Sequence, residues 1–259
     1  MLIVVAACTP SIDVATERSD RIGSASTTPV PLPSSELEWS SCETFDIPDA
    51  DVVGTNGWEC ARLTAAMDPF DASAAETVEL ALTRHRATGD RRGSLLINPG
   101  GPGGPGVEFA WAIRSAFPVE VLRAFDIVAW DPRGVANSRP AITCGDDPDL
   151  DDDFLMSVCA DATGPLAAHL AAPYSASDME AIRVALGEPL LDYLGYSYGA
   201  TLGAAYAAQY PDTVGRFVLD GVTDPLIGSP DGYFEDGFAY YAEDGVPAAL
   251  DRFEQLCDA

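Results

Sequence analysis

From Trp39 onward the apolar positions fall into short blocks of two kinds. Cys60 to Met67 and Val78 to Arg86 alternate roughly apolar with polar, the period of a half-buried strand, and Asp68-Pro69-Phe70-Asp71 between them is turn chemistry. They predict an antiparallel hairpin at the edge of a sheet. Ser94-Leu95-Leu96-Ile97-Asn98, Phe125 to Trp130 and Leu190-Leu191-Asp192-Tyr193-Leu194 are denser in apolar residues, as strands buried on both faces require. Val107 to Ala116 and the alanine-rich Ala200 to Tyr210 read as helices, and strand, helix, strand from Ser94 to Trp130 is a parallel β-α-β unit. Ser177-Asp178-Met179-Glu180 is a capping box that predicts a helix running to Leu186 and stopping at Gly187. A last strand is expected over Arg216 to Asp220. The pattern is that of an α/β chain with a mostly parallel sheet and an N-terminal antiparallel hairpin.

The two ends read differently. Met1 to Ala7 is apolar and leads into Val5-Ala6-Ala7-Cys8, which resembles a bacterial lipobox and makes Cys8 a lipidation candidate. The run is too short for a signal peptide and lacks a basic start, so either the rest of the leader lies upstream, the favoured reading, or the match is accidental. Residues 9–37 are rich in Ser, Thr and Pro without apolar periodicity, the composition of a tether. The expected organisation is a partial lipobox over 1–8, tether over 9–37, the N-terminal part of an α/β core over 38–222 and the start of a helical cap over 223–259. Membrane attachment is expected through lipid alone, since no stretch is long enough to span a bilayer.

Acidic residues outnumber basic ones 41 to 14, for a formal net charge of −27. Such a chain repels nucleic acid and anionic membranes, and nucleic-acid binding is set aside. The acidity can attract cationic substrates such as peptide amines, but a solvated surface tuned for solubility or salt is the favoured reading. The six cysteines contain no C-x-x-C pair, which argues against zinc and thioredoxin-type chemistry and for paired cysteines in an exported protein.

The chemistry gathers at Gly195-Tyr196-Ser197-Tyr198-Gly199, a G-x-S-x-G stretch between a buried strand and a helix. So tight a turn lifts Ser197 out of the backbone as a nucleophile and aims the Tyr198 N–H at the oxyanion of an acyl-transfer intermediate. After the strand ending at Asn98, Pro99-Gly100-Gly101-Pro102-Gly103-Gly104-Pro105-Gly106 is a stiff loop whose backbone can approach a ligand; Gly101 is the best placed second oxyanion donor. The same glycines satisfy G-x-G-x-x-G, but Pro102 and Pro105 remove donors that a pyrophosphate would use. Asp131-Pro132-Arg133-Gly134 reads as a turn locked by a buried ion pair. The acidic stretch between Cys144 and Cys159 lacks the Gly and Glu of a calcium loop and reads as a surface loop. His85, between Arg84 and Arg86, is expected on a solvated face, and His169 is expected to be structural.

Taken in order, Asn98-Pro99-Gly100-Gly101-Pro102-Gly103-Gly104, Asp131-Pro132-Arg133-Gly134, Gly195-Tyr196-Ser197-Tyr198-Gly199 and Val218-Leu219-Asp220-Gly221 resemble secreted α/β-hydrolases of the tripeptidyl aminopeptidase type, relatives of prolyl iminopeptidase. The resemblance covers about residues 38–259. It implies a serine exopeptidase that takes peptides with a free N-terminus and needs neither metal nor organic cofactor. It also implies Ser197 as nucleophile, Gly101 and Tyr198 as oxyanion donors, and disulfides joining Cys42 to Cys60 and Cys144 to Cys159. A serine is usual in the family where Pro105 stands.

In this fold the triad runs serine, acid, histidine along the chain. Both histidines, His85 and His169, precede Ser197. The expectation is therefore a chain cut within its cap, with the triad histidine and acid carried elsewhere; Asp220 is a candidate acid. Cys257 is expected to lack its partner. An esterase or lipase on the same fold and a non-catalytic fragment are the competing readings.

Overall fold

The computed structural model describes residues 37–47, 57–144 and 152–222, the last with side chains from 158 onward. Six strands form one sheet: β1 (Trp58–Ala66), β2 (Thr77–His85), β3 (Gly93–Asn98), β4 (Phe125–Asp131), β5 (Leu191–Tyr196) and β6 (Val214–Asp220), in the order β1-β2-β4-β3-β5-β6. The helices are α1 (Gly106–Ile113), α2 (Val119–Ala124), α3 (Asp152–Thr163), α4 (Ala172–Ala185) and α5 (Tyr198–Gln209).

The hairpin β1–β2 is antiparallel and lies at one edge, and β2 meets β4 antiparallel. The remaining pairs, β4–β3, β3–β5 and β5–β6, are parallel. The hairpin loop is organised as its sequence suggests, with Asp68 and Asp71 carboxylates accepting the N–H groups of Phe70 and Ser73.

Period-two burial divides the core. Leu96, Val128 and Trp130 face α4 and α5 together with Leu80, Leu82, Met179, Ile182, Tyr193 and Tyr206. Their neighbours Ile97, Ile127 and Ala129 face the other way, against α1, with Trp58 and Trp111. Helices on both faces are what makes the central strands apolar throughout.

Several expectations need correction. The segment Ser177 to Glu180 does not start a helix: α4 begins at Ala172 with proline in its first turn, and Ser177 and Asp178 are buried within it. The Ser177 hydroxyl turns back to the Pro173 carbonyl at 3.2 Å, so it cannot cap. The stop at Gly187 stands, in the left-handed region at φ 71°. His85 is buried, not solvated, edge-on to Trp58. Alternation explains this: Arg84 and Arg86 turn outward to Glu59, which leaves His85 between them facing inward. Burial, then the Arg114 charge, pushes its imidazole below the usual histidine range. Of the acidic stretch before Cys159, the part from Asp152 onward is helical, as the start of α3, and residues 145–151 lie outside the described residues.

Disulfides join Cys42 to Cys60 and Cys144 to Cys159. Cys8, the tether as far as residue 36, the cap start and Cys257 lie outside the described residues, whereas Leu37 packs against the core. No helix among the described residues is long and apolar enough to cross a membrane.

Candidate active site

The sheet order brings two loops together. The chain leaves β3 for β4 on one side and leaves β5 for β6 on the other, so the loops after β3 and β5 diverge from neighbouring strand ends, with Asn98 opposite Gly195. In α/β sheets this is where ligands bind.

The β5–α5 loop is a single residue, Ser197, at φ 53° and ψ −123°, outside the regions an ordinary residue adopts. The turn is held through its backbone. The Ser197 N–H donates to the Asp220 carbonyl at 2.7 Å, the Ala200 N–H donates to the Ser197 carbonyl at 2.8 Å, and the Tyr193 hydroxyl donates to the Gly199 carbonyl at 2.8 Å. Ser197 itself stays exposed at the start of α5.

The glycine loop packs directly on this turn. A Cβ at Gly100, which sits at φ 89°, would lie 2.3 Å from the Tyr196 carbonyl oxygen and 2.8 Å from the Tyr198 nitrogen. Any side chain there would drive the loop off the elbow. The Asn98 carboxamide oxygen accepts the Gly100 N–H at 2.8 Å, and the Gly104 N–H donates back to the Gly100 carbonyl at 2.9 Å. Gly101, exposed at φ 116°, follows directly on the Gly100 that packs against the Tyr198 nitrogen at the start of α5. The two candidate oxyanion donors thus belong to one packed unit.

Asp220 ends β6 opposite Tyr196, with its side chain exposed. Burial, and secondarily the charge of Asp220, raises the Tyr196 phenol above its ordinary range. Beside Tyr196 on the α1 side, Phe109, Ile113, Ala116 and Phe117 complete an apolar cleft of about 320 Å³.

Neither histidine is brought to Ser197. His85 pairs with Ile127, four residues below the end of β4 and three strands away from β5. Strand geometry makes that about 13 Å along the sheet and about 14 Å across it. His169 contacts Asp68, the Pro165 carbonyl and the Tyr174 ring.

The turn after β4 is locked by charge, but not by the pair expected. Arg133 bonds Asp178 of α4 through Nε and Nη2 at 2.8 and 2.7 Å, with both side chains 1 % exposed. It also donates to the carbonyls of Ala66, Met67 and His169. Asp131 instead receives the Val107 N–H at the start of α1 and the Asn137 backbone and side-chain N–H groups. Burial raises the Asp131 carboxyl above the usual range against the pull of these donors. A one-dimensional reading had no signal for Asp178, which lies 45 residues from Arg133. Asn98 was visible as the end of a strand and the first residue of the glycine-loop motif, but not as the acceptor that holds the loop. Among the described residues no cluster of His, Cys, Asp or Glu could hold a metal.

A single-residue elbow on the fifth strand, a glycine loop on the third and this strand order belong to the α/β-hydrolase fold. Residues 93–256 match the family model described as alpha/beta hydrolase fold, and the chain belongs to that family. It is 38% identical over 248 residues to the serine protease Hip1 of Mycobacterium tuberculosis, a match covering 83% of this chain and 47% of that protein. It is 36% identical over 215 residues to the tripeptidyl aminopeptidase of Streptomyces lividans (73% and 38%), and 34% identical over 193 residues to carboxylesterase B of M. tuberculosis (74% and 34%). The chain therefore spans between about a third and a half of the length of these relatives.

Proposed function

We propose that the protein is an exported serine hydrolase that releases short peptides or residues from peptides with a free N-terminus. The observation that carries this reading is Ser197, exposed at φ 53° on a turn whose neighbouring N–H groups pack against the glycine loop. The Ser197 hydroxyl oxygen attacks the scissile carbonyl while its proton passes to a general base. The N–H groups of Tyr198 and Gly101 hold the oxyanion, the amine leaves with a proton, and water then releases the acyl group.

The relatives named serine protease and tripeptidyl aminopeptidase support a peptide substrate. The distance of His85 and the contacts of His169 support a base supplied from polypeptide outside these 259 residues. Asp220, at the neighbouring strand end, is the candidate acid to consider as its partner. The two disulfides support an oxidising compartment, and Cys8 a lipid anchor on the outer face of the cell membrane.

Carboxylesterase B among the relatives favours one second reading, an esterase. The test compares tripeptidyl anilides, free or N-acetylated, with acyl esters of similar size, using protein expressed from its complete reading frame. Cleavage of the free-amine anilides and loss of it on acetylation support the peptidase. Turnover of the esters alone replaces it with the esterase.

A further inference from the structure

We propose that Asn98 is a positioning residue of the oxyanion site, and that it is an amide rather than an acid because a carboxylate there would repel the developing oxyanion. The inference rests on Ser197 being the nucleophile and on Gly101 and Tyr198 being the donors.

Asn98 is the last residue of β3 and is 1 % exposed. Its Oδ1 accepts the Gly100 N–H at 2.8 Å. The other side of the same group abuts the elbow helix: a Cβ on Gly199 would lie 2.9 Å from Oδ1 and 2.8 Å from the Asn98 carbonyl oxygen. One carboxamide is therefore wedged between the two loops whose N–H groups must converge on one oxygen. Its orientation is fixed, because the flipped amide would set Nδ2 against the Gly100 N–H, donor against donor.

The choice of asparagine has a cost. Its Nδ2 is buried with no hydrogen-bond partner among the described residues. An aspartate would accept the Gly100 N–H more strongly and would carry no unpaired donor. Hydrogen bonding alone thus favours the acid. What the acid adds is a buried negative charge three residues from Gly101, where an oxyanion has to form, and charges repel strongly in a water-excluded site. The neutral acceptor fixes the loop without that repulsion.

The test measures Asn98→Asp and Asn98→Ala beside the wild type, from about pH 5 to about pH 9, in protein expressed from its complete reading frame. Active sites are titrated with a fluorophosphonate, so kcat and KM refer to competent molecules only. The titratable groups on the surrounding elements are Asp131, Tyr193, Tyr196, Tyr198, Asp220 and Glu108; wild type and variants share them, and the ratio of profiles isolates position 98.

For Asn98→Asp the ratio of kcat to wild type falls by about tenfold or more toward alkaline pH, with KM within about threefold. Asn98→Ala gives a loss of similar size that does not vary with pH. A merely structural role would lower the titrated fraction and leave kcat per site intact. An Asn98→Asp ratio that stays flat and within about twofold of one overturns the inference. Should the aspartate variant not fold, Asn98→Ser is compared with Asn98→Ala: a higher kcat for the neutral hydroxyl acceptor supports the inference, and equal values overturn it. A Ser197→Ala control that remains active overturns the nucleophile instead.

Discussion

Two turns leave the carboxyl ends of parallel strands and are held by opposite means. The turn after β5 is fixed by its backbone: three hydrogen bonds to main-chain groups and close approach of the glycine loop hold it, and the Ser197 side chain is left in solvent. The turn after β4 is fixed by a side chain. The Arg133 guanidinium satisfies its donors on Asp178 and on three carbonyls from β1, its loop and the segment before α4, and is withdrawn from water. A residue held through its backbone keeps its side chain available for chemistry. A residue whose side chain is the fastener does not.

The largest expected effect is on the first turn. Ser197→Ala lowers kcat/KM by about 10⁵-fold, measured in protein from the complete reading frame, while thermal unfolding is hardly moved. A comparable fall in stability would mean that the serine is part of the fastening after all.

The second turn should behave inversely. Arg133→Met leaves Asp178 buried and unpaired and costs about 3–5 kcal/mol by urea unfolding, with kcat per titrated site unchanged. The double variant Arg133→Met/Asp178→Leu is less destabilised than either single change, because no unpaired charge remains. Loss of kcat per site in Arg133→Met would place the turn in the chemistry and erase the contrast.

The smallest effect concerns His85. Burial holds its folded pKa below the unfolded value, so the unfolded chain binds more protons in the window just below about pH 6.5. Stability therefore rises with pH through that window and is lost as pH falls. His85→Phe flattens this acid-side slope and leaves kcat per site as it was. A collapse of kcat would make His85 the base that its place in the sheet denies.

Legibility in the sequence follows the same division. The elbow and the glycine loop could be read because glycine spacing encodes backbone geometry locally, and the parallel β-α-β unit followed from apolar runs of the right length. The Arg133 turn could not be read in full, since Asp178 reaches it only through the packing of α4. The apparent capping box failed for the same reason: Ser177 and Asp178 are turned to tertiary partners, Gln209 and Arg133, and the helix starts at Ala172. The burial of His85 was legible in principle, because period two places it opposite to the arginines on either side. The helix over Val119–Ala124 has only six residues and carried too little periodicity to predict. Asn98 was legible as the head of the glycine-loop motif, but its role was not, since its partners are a backbone N–H and the helix that follows another strand.

The central claim is that the backbone-held turn presents a reactive serine. Protein from the complete reading frame is treated with a fluorophosphonate until hydrolysis stops, and the modified peptide is sequenced by mass spectrometry. The account predicts one adduct per molecule, on Ser197. An inhibited enzyme modified at another residue, or undiminished hydrolysis with Ser197 unmodified, would contradict it.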